Sequence, residues 1–212
     1  MRQFNTHPRI EDDILTEIRN INNVGKVKGP SQGLIWEKSQ HGCVKAFKRR
    51  ILEQGLVIQE SRCAWCTLLI GEQGRRSIHR DHIAPKQSYP QWTFLPKNLV
   101  LACEYCNGFA VKSRLDTVRR CDLDYDNTDF WLVHPYLDDP AIHIEFEGGD
   151  RTVGITVVGK TDKGRWTIIN LQLDSTGLTT ERAKDFLYLR DSASLPSNYR
   201  SLLDKATGRD KS

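Results

Sequence analysis

The sequence predicts an α+β chain with helices before a compact two-stranded core and a hairpin with a helix after it. Three observations support this fold class. Apolar residues recur with helical spacing before residue 55, short β-rich runs bounded by turn residues follow between residues 77 and 102, and the pattern changes again past residue 130. With 212 residues the chain is long enough to bury a core. The predicted regions are 1–55, 56–120 and 121–212.

Two helices are predicted in the first region. The apolar side chains of Ile10–Ile21 share one helical face, and those of His41–Gln54 share another, with Gly55 as the expected end of the second helix. Basic residues of the second helix fall mostly on its opposite face, where they either follow a phosphate backbone or form the solvated side of the helix. They are Lys45, Lys48, Arg49 and Arg50.

Four cysteines form two Cys-x-x-Cys pairs, a spacing typical of a tetrahedral four-thiolate zinc site. They are Cys63, Cys66, Cys103 and Cys106. The alternative is a set of buried thiols or disulfides. Residues 1–20 show no export signal, so we expect a cytoplasmic chain whose thiols stay reduced, and this favours zinc. Cys43 and Cys121 lie outside the pattern and are expected to be ordinary core or loop residues.

Between and after the cysteine pairs, the sequence predicts two strands and a helix. Ser77–Ile83 has the composition of a short strand that ends before Pro85, and Asn98–Ala102 that of a second strand. A helix is expected to open at Cys103 and to continue to Ser113. Two strands and a helix around a cation are therefore predicted for this region.

Asp81, His82, Asn98 and Asn107 are the candidate reactive residues. A neutral imidazole can take a proton from water, and carboxylate and amide oxygens suit a hard cation such as Mg²⁺. Asp81 and His82 point to opposite sides of a regular strand, but both reach one site if the strand ends there. The alternative is that both make structural hydrogen bonds in a zinc-ribbon binding module.

Two strings carry a resemblance to a family: Asp-His-Ile-x-Pro from Asp81, and Asn-Leu-Val-Leu-Ala-Cys-x-x-Cys-Asn from Asn98. They resemble the HNH endonucleases, which have a ββα-metal core, in the subgroup with a cysteine-bound structural zinc. The resemblance implies that His82 is the general base and that Asp81 and Asn107 bind a catalytic Mg²⁺ or Mn²⁺. It implies that Asn98 fixes the loop that orients the histidine. Asn107 departs from the histidine that many members carry there.

The resemblance implies hydrolysis of phosphodiester bonds in nucleic acid, with DNA favoured and RNA left open. The charge pattern agrees, because residues 41–120 hold 14 Lys and Arg against 6 Asp and Glu in a chain of net charge +4. The candidate phosphate contacts are Arg75, Arg76, Arg80 and Lys86. The alternative is that these residues are solvated loop charges. His79 is expected either to touch substrate or metal or to lie on the strand surface.

An acidic stretch follows, with 9 Asp and Glu and no Lys or Arg in residues 121–150. It is a solvated loop, a docking surface for a basic partner, or a guard against nonspecific nucleic-acid binding. Past residue 130, no catalytic constellation is found. The predicted elements there are strands at Ile142–Phe146, Thr152–Val158 and Arg165–Leu173 and a helix at Leu178–Leu189.

A second resemblance rests on two strings of the last region, His134–Pro140 and Thr167–Leu173. They resemble the retron- and Septu-type antiphage HNH nucleases, which are found beside an ABC-type ATPase. This implies an ATPase partner that controls the nuclease, a docking role for the C-terminal half, and structural roles for His134 and His143. Two other hypotheses stay open: a zinc-dependent module that binds nucleic acid without cutting it, and an effector subunit that is inactive alone.

Overall fold

The computed structural model has a mixed α+β fold with small two-stranded sheets. It describes residues 1, 3–24, 35–37, 40–72, 74, 76–108, 111–112, 115–148, 154–192 and 194–207. The helices are α1 Asp12–Val24, α2 Gly42–Ile58, α3 Pro140–His143, α4 Asp162–Asn170, α5 Thr176–Ser192 and α6 Ser197–Thr207. The strands are β1 Ile78–His82, β2 Leu99–Cys103, β3 Val118–Arg120, β4 Asp129–Phe130, β5 Ile144–Glu147 and β6 Thr156–Gly159. None of the described helices is long and apolar enough to cross a membrane.

The central hairpin pairs β1 with β2 in antiparallel register, from Ile78 opposite Cys103 to His82 opposite Leu99. Every residue of β2 is buried, and helix α2 packs against this strand. Both strands lie where the sequence predicts them. The hairpin therefore brings the end of β1, with Asp81 and His82, next to the start of β2.

Helix α2 packs on this hairpin and extends further than predicted. The prediction that Gly55 ends the helix is wrong, since α2 continues to Ile58 and Gly55 is buried inside it. A Cβ atom at Gly55 would lie 2.8 Å from Cγ of Leu101. The glycine therefore serves close packing of helix on strand rather than helix termination.

The chain after Cys103 forms turns where a helix was predicted. Residues 104–107 and 111–112 are turns, and within residues 103–113 the described positions contain no helix. The amide of Asn107 bonds the carbonyl of Cys103, and the amide of Gly108 that of Tyr105. These tight turns bring Cys103 and Cys106 to one centre.

The C-terminal region contains the predicted hairpin, formed by β5 and β6. The predicted strand at Arg165–Leu173 is wrong, because helix α4 occupies most of it. The hydroxyl of Thr161 accepts a hydrogen bond from the Gly164 amide at 3.1 Å and caps this helix. Thr167 and Ile168 are buried on its inner face, so capping and tertiary packing outweigh the strand preference of the β-branched run. Helix α5 begins before the predicted Leu178, and α6 was not predicted.

Candidate functional site

The four paired cysteines meet at one buried centre. Their sulfur atoms all lie within 4.8 Å of one another, and those of Cys66 and Cys103 are 3.8 Å apart. A tetrahedral zinc with Zn–S bonds of ~2.3 Å would place its sulfurs about 3.8 Å apart. Burial raises the pKa of the Cys63 thiol well above its ordinary value, because a lone thiolate is poorly solvated there. A bound Zn²⁺ would supply the missing positive charge, so the donor set fits this metal.

A buried arginine that the sequence analysis did not single out lies beside this centre. Arg182 of α5 is fully buried and donates to the carbonyls of Ile155 and Leu173, at 2.8 and 2.7 Å. Burial lowers the pKa of Arg182, while the nearby sulfurs of Cys66 and Cys106 raise it. Its Nη1 atom has no hydrogen-bond partner among the residues that the structure describes. A positive charge from the C-terminal region thus lies close to the four thiols.

His82 ends strand β1 and is held in one orientation. Its Nε2 atom lies 3.0 Å from the carbonyl oxygen of Thr93, and the Trp36 ring approaches it edge-on with centroids 4.6 Å apart. A carbonyl can only accept, so Nε2 carries the proton and Nδ1 keeps its lone pair. Burial lowers the pKa of His82 to about 3, with help from the charges of Lys86 and Lys112. The imidazole is therefore neutral at physiological pH.

Asp81 is buried and has two strong donors. The indole N–H of Trp65 bonds one carboxylate oxygen at 2.7 Å, and the Lys112 ammonium bonds the other at 2.7 Å. Lys112 also donates to the backbone carbonyl of His82. Trp65 lies between Cys63 and Cys66, so the turn that contains the first cysteine pair also holds the Asp81 carboxylate. No spacing signal in the sequence pointed to Trp65 or Lys112.

Asn98 is fully buried and connects the segments around the histidine. Its Nδ2 donates to the carbonyls of Ala84 and Trp92, both at 3.1 Å, and its Oδ1 accepts from the Ala84 amide at 2.7 Å. The Tyr125 hydroxyl also donates to this Oδ1, at 2.9 Å. Asn98 thus fixes the residue before Thr93, whose carbonyl positions His82.

His134 supports the same network from the C-terminal region. Its Nδ1 accepts the backbone amides of Tyr136 and Leu137, so Nε2 carries the proton and donates to the Tyr125 hydroxyl at 2.9 Å. The ring is fully buried, and burial lowers its pKa well below the ordinary value. His134 therefore fixes Tyr125, in keeping with a structural role. His143 lies elsewhere and pairs with the hydroxyl of Thr161 at 2.8 Å.

A polar cavity of about 290 Å³ lies at the end of β1. Its wall includes Arg80, Asp81, His82, Lys86, Asn107 and Lys112. Three of the four predicted reactive residues thus line one space, while Asn98 lies behind it. The side-chain Nδ2 atom of Asn107 is 3.2 Å from Nδ1 of His79, so His79 contacts a predicted metal ligand.

The predicted phosphate contacts divide into two groups. Arg80 and Lys86 line the cavity, where Arg80 donates to the carbonyl of Lys48 at 2.6 Å and Lys86 pairs with Glu37 at 2.8 Å. Arg76 instead pairs with Glu181 of α5 at 2.9 Å and does not line it. Arg75 lies outside the described residues. The basic wall of the cavity is therefore formed by Arg80, Lys86 and Lys112.

The same wall contains donors for a hard cation. Asp81 offers carboxylate oxygens and Asn107 an amide oxygen, the ligand types that Mg²⁺ and Mn²⁺ take. The oxygen atoms of Asp81 and Asn107 are therefore suitable ligands for Mg²⁺ or Mn²⁺. One oxygen of Asp81 is bonded to Lys112, however, so its negative charge is already balanced by a side chain.

The chain is similar in sequence to a known protein. The chain is 23% identical over 160 residues to the Septu protein PtuB of Bacillus thuringiensis, covering 76% of this chain and 55% of that protein. The chain thus spans about half the length of the curated relative it matches. No protein-family model matches the sequence.

Proposed function

We propose that this chain is a divalent-metal-dependent HNH endonuclease that hydrolyses phosphodiester bonds in nucleic acid, with DNA favoured over RNA. One observation carries the proposal. A neutral His82, oriented by a backbone carbonyl through Nε2, lines a polar, basic-walled cavity together with Asp81 and Asn107. A base with a lone pair, oxygen ligands and positive charge are the groups that hydrolysis of a phosphodiester needs.

In the proposed mechanism His82 takes a proton from water at Nδ1. The resulting hydroxide attacks phosphorus, the opposite P–O bond breaks, the leaving oxygen takes a proton from solvent water, and the imidazolium then releases its proton to solvent. The Thr93 carbonyl stabilises the imidazolium through Nε2–H, while Arg80 and Lys86 bind flanking phosphate oxygens. A divalent cation on Asp81 and Asn107 would supply charge neutralisation at the phosphate and at the leaving oxygen.

The zinc site would act in this scheme as a support. Cys63 and Cys66 enclose Trp65, whose indole N–H holds Asp81. Cys103 ends β2 and Cys106 follows in the next turn, close to Asn107. A zinc ion on the four thiolates would thereby fix both cation ligands from outside the cavity.

A second candidate function is a zinc-dependent module that binds nucleic acid without cutting it. The buried ion pair of Asp81 and Lys112 favours this candidate, because a carboxylate with a permanent counter-ion has a purely structural use. Binding that survives chelation of Mg²⁺, with no cleavage in any divalent cation, would establish it.

The proposed biological role is that of the nuclease in an antiphage defence system controlled by an ABC-type ATPase. Its support is the similarity to the Septu protein PtuB together with the sequence strings described above. We propose that the C-terminal region docks the ATPase. Co-purification of the chain with an ATPase encoded beside it would test this role, and absence of any complex would argue against it.

The chemistry is tested by incubating the purified protein with supercoiled plasmid, single-stranded DNA and total RNA, each with Mg²⁺, Mn²⁺ or EDTA. His82→Ala should lower cleavage by about 10²–10⁴-fold, because it removes the base. His41→Ala is the matched control, since His41 is exposed at the start of α2 and should leave cleavage unchanged. Wild-type cleavage by His82→Ala, or cleavage that persists in EDTA, would contradict the proposal.

A further inference from the structure

The ion pair between Lys112 and Asp81 is unusual in its burial. The two side chains are only 4% and 3% exposed, although both line a cavity that opens to solvent. The other cations of the wall are bound differently, Arg80 by the carbonyl of Lys48 and Lys86 by Glu37. Among the described basic residues of the wall, Lys112 is thus the one that bonds Asp81.

The bonding of the Lys112 ammonium is similar to that of a metal ion. Its nitrogen contacts one carboxylate oxygen of Asp81 and the backbone carbonyl oxygen of His82. Carboxylate and carbonyl oxygens are also the ligands that hard cations prefer. A lysine is suited to occupy a cation site temporarily, since its ammonium group is a point charge on a flexible four-carbon chain, unlike the rigid planar guanidinium of arginine.

A carboxylate kept for metal binding needs such a partner whenever the metal is absent. Buried and ionised, Asp81 would be poorly solvated without Lys112, since the Trp65 N–H would be its remaining donor among the residues that the structure describes. Lys112 removes that problem in the metal-free protein. It also creates a competition, because a divalent cation at Asp81 would lie close to a positive charge that already holds one of the oxygens.

We propose that Lys112 is the resident counter-ion of Asp81, and that a divalent cation gains this carboxylate only by displacing the lysine ammonium into the cavity. The inference rests on the proposed function, since it needs a cation at Asp81. It makes the metal-free protein self-inhibited. It also gives the displaced ammonium a new partner, because a phosphate in the cavity offers it an anion, so metal and substrate should favour each other's binding.

The test is a calorimetric titration of zinc-loaded protein with Mn²⁺. If Lys112 holds Asp81 for most of the time, its removal in Lys112→Met should tighten Mn²⁺ binding by about tenfold or more. Lys86→Met is the matched control, because it removes one charge from the same wall but not from Asp81, and it should tighten binding by less than about threefold. Asp81→Asn should abolish the binding.

A second measurement keeps the test independent of how well Lys112→Met folds. In the wild-type protein, acetylation of Lys112 by an amine-reactive reagent, followed by mass spectrometry, should become faster when Mn²⁺ saturates the site. Unchanged Lys112 labelling, or equal Mn²⁺ affinity in wild type and Lys112→Met, would overturn the inference. If those results overturn the inference about Lys112 while the wild type cleaves and His82→Ala does not, the proposed nuclease function still stands. Absence of both cleavage and Mn²⁺ binding would reject both.

Discussion

The cysteine centre and the polar cavity both include residues of the β1–β2 hairpin, but they differ in construction. The centre has four identical ligands, all buried and within 4.8 Å of one another. The cavity has a volume of about 290 Å³ and a wall of mixed acids, bases and amides. A closed set of thiolates suits a metal that stays, whereas an open polar wall suits ions and substrates that exchange.

The Trp65 side chain connects the two regions. Trp65 lies between Cys63 and Cys66 in the sequence, and its indole N–H donates to Asp81 in the cavity wall. We expect the cavity to depend on the cysteine centre more than the centre depends on the cavity, because Trp65 and Asn107 are sequence neighbours of the paired cysteines. Variants of each region should show whether loss of the cysteine centre alters the cavity and whether changes in the cavity leave the centre intact.

The largest effect is expected from Cys103→Ser. A hydroxyl in place of the thiolate should release the zinc and lower the free energy of unfolding by about 3–5 kcal/mol, since structural zinc contributes to folding directly. Zinc content by metal analysis and the melting temperature measure it. Cys121→Ser is the control, because Cys121 is exposed and lies outside the centre. A pure wild-type protein without zinc would show that the interpretation of the cysteines is wrong.

Asn98→Ala is expected to have an intermediate effect that starts in the cavity wall. Removing the amide leaves the buried amide and carbonyl of Ala84 without this partner, whereas the Trp92 carbonyl keeps the Leu95 amide and the Tyr125 hydroxyl keeps His134. We expect a loss of about 3 kcal/mol of stability.

Zinc content should stay unchanged in Asn98→Ala, which separates the two regions. Chemical denaturation and metal analysis of the same sample measure both quantities. A loss of zinc in this variant would show that the cavity supports the cysteine centre after all. Asn127→Ala is a suitable control, because its side chain makes one long, exposed contact to Asp124 at 3.4 Å.

Local patterns predicted the parts of both regions that depend on neighbours in sequence. The cysteine pairs follow from their spacing, and β1 and β2 follow from short β-rich runs with a proline boundary after the first. The prediction for Gly55 was wrong because the glycine allows close packing against Leu101, a residue on another element. The prediction of a strand at Arg165–Leu173 was wrong because the Thr161 cap and the burial of Thr167 stabilise a helix there.

The candidate site shows the same limit. Asp81, His82, Asn98 and Asn107 were found through a motif in sequence, and three of them line the cavity. Lys112 carries no such signal, because a lysine that pairs with a carboxylate 31 positions earlier looks like any surface lysine. Trp65 was hidden for the same reason, since its indole N–H is useful only once the hairpin has formed.

The smallest expected effect is a pH dependence of stability that arises at His82. The pKa of this group is about 3 in the folded protein and ~6.5 in the unfolded chain, so between these values the unfolded state binds the extra proton. Stability from this group is therefore present above pH ~6.5 and is lost as the pH falls toward 3. Between pH 7 and pH 5 the loss should be about 2 kcal/mol.

His82→Gln should remove that part of the acid sensitivity. Denaturant unfolding at pH 7 and pH 5 in the wild type and in His82→Gln measures it. The buried His134 contributes in the same direction and remains in both proteins, so the variant should keep a smaller slope rather than none. An unchanged slope would mean that the imidazole can bind a proton in the folded state, and the cavity would then be more accessible to water than its burial indicates. A reduced slope with unchanged zinc content would show that the cavity titrates independently of the cysteine centre.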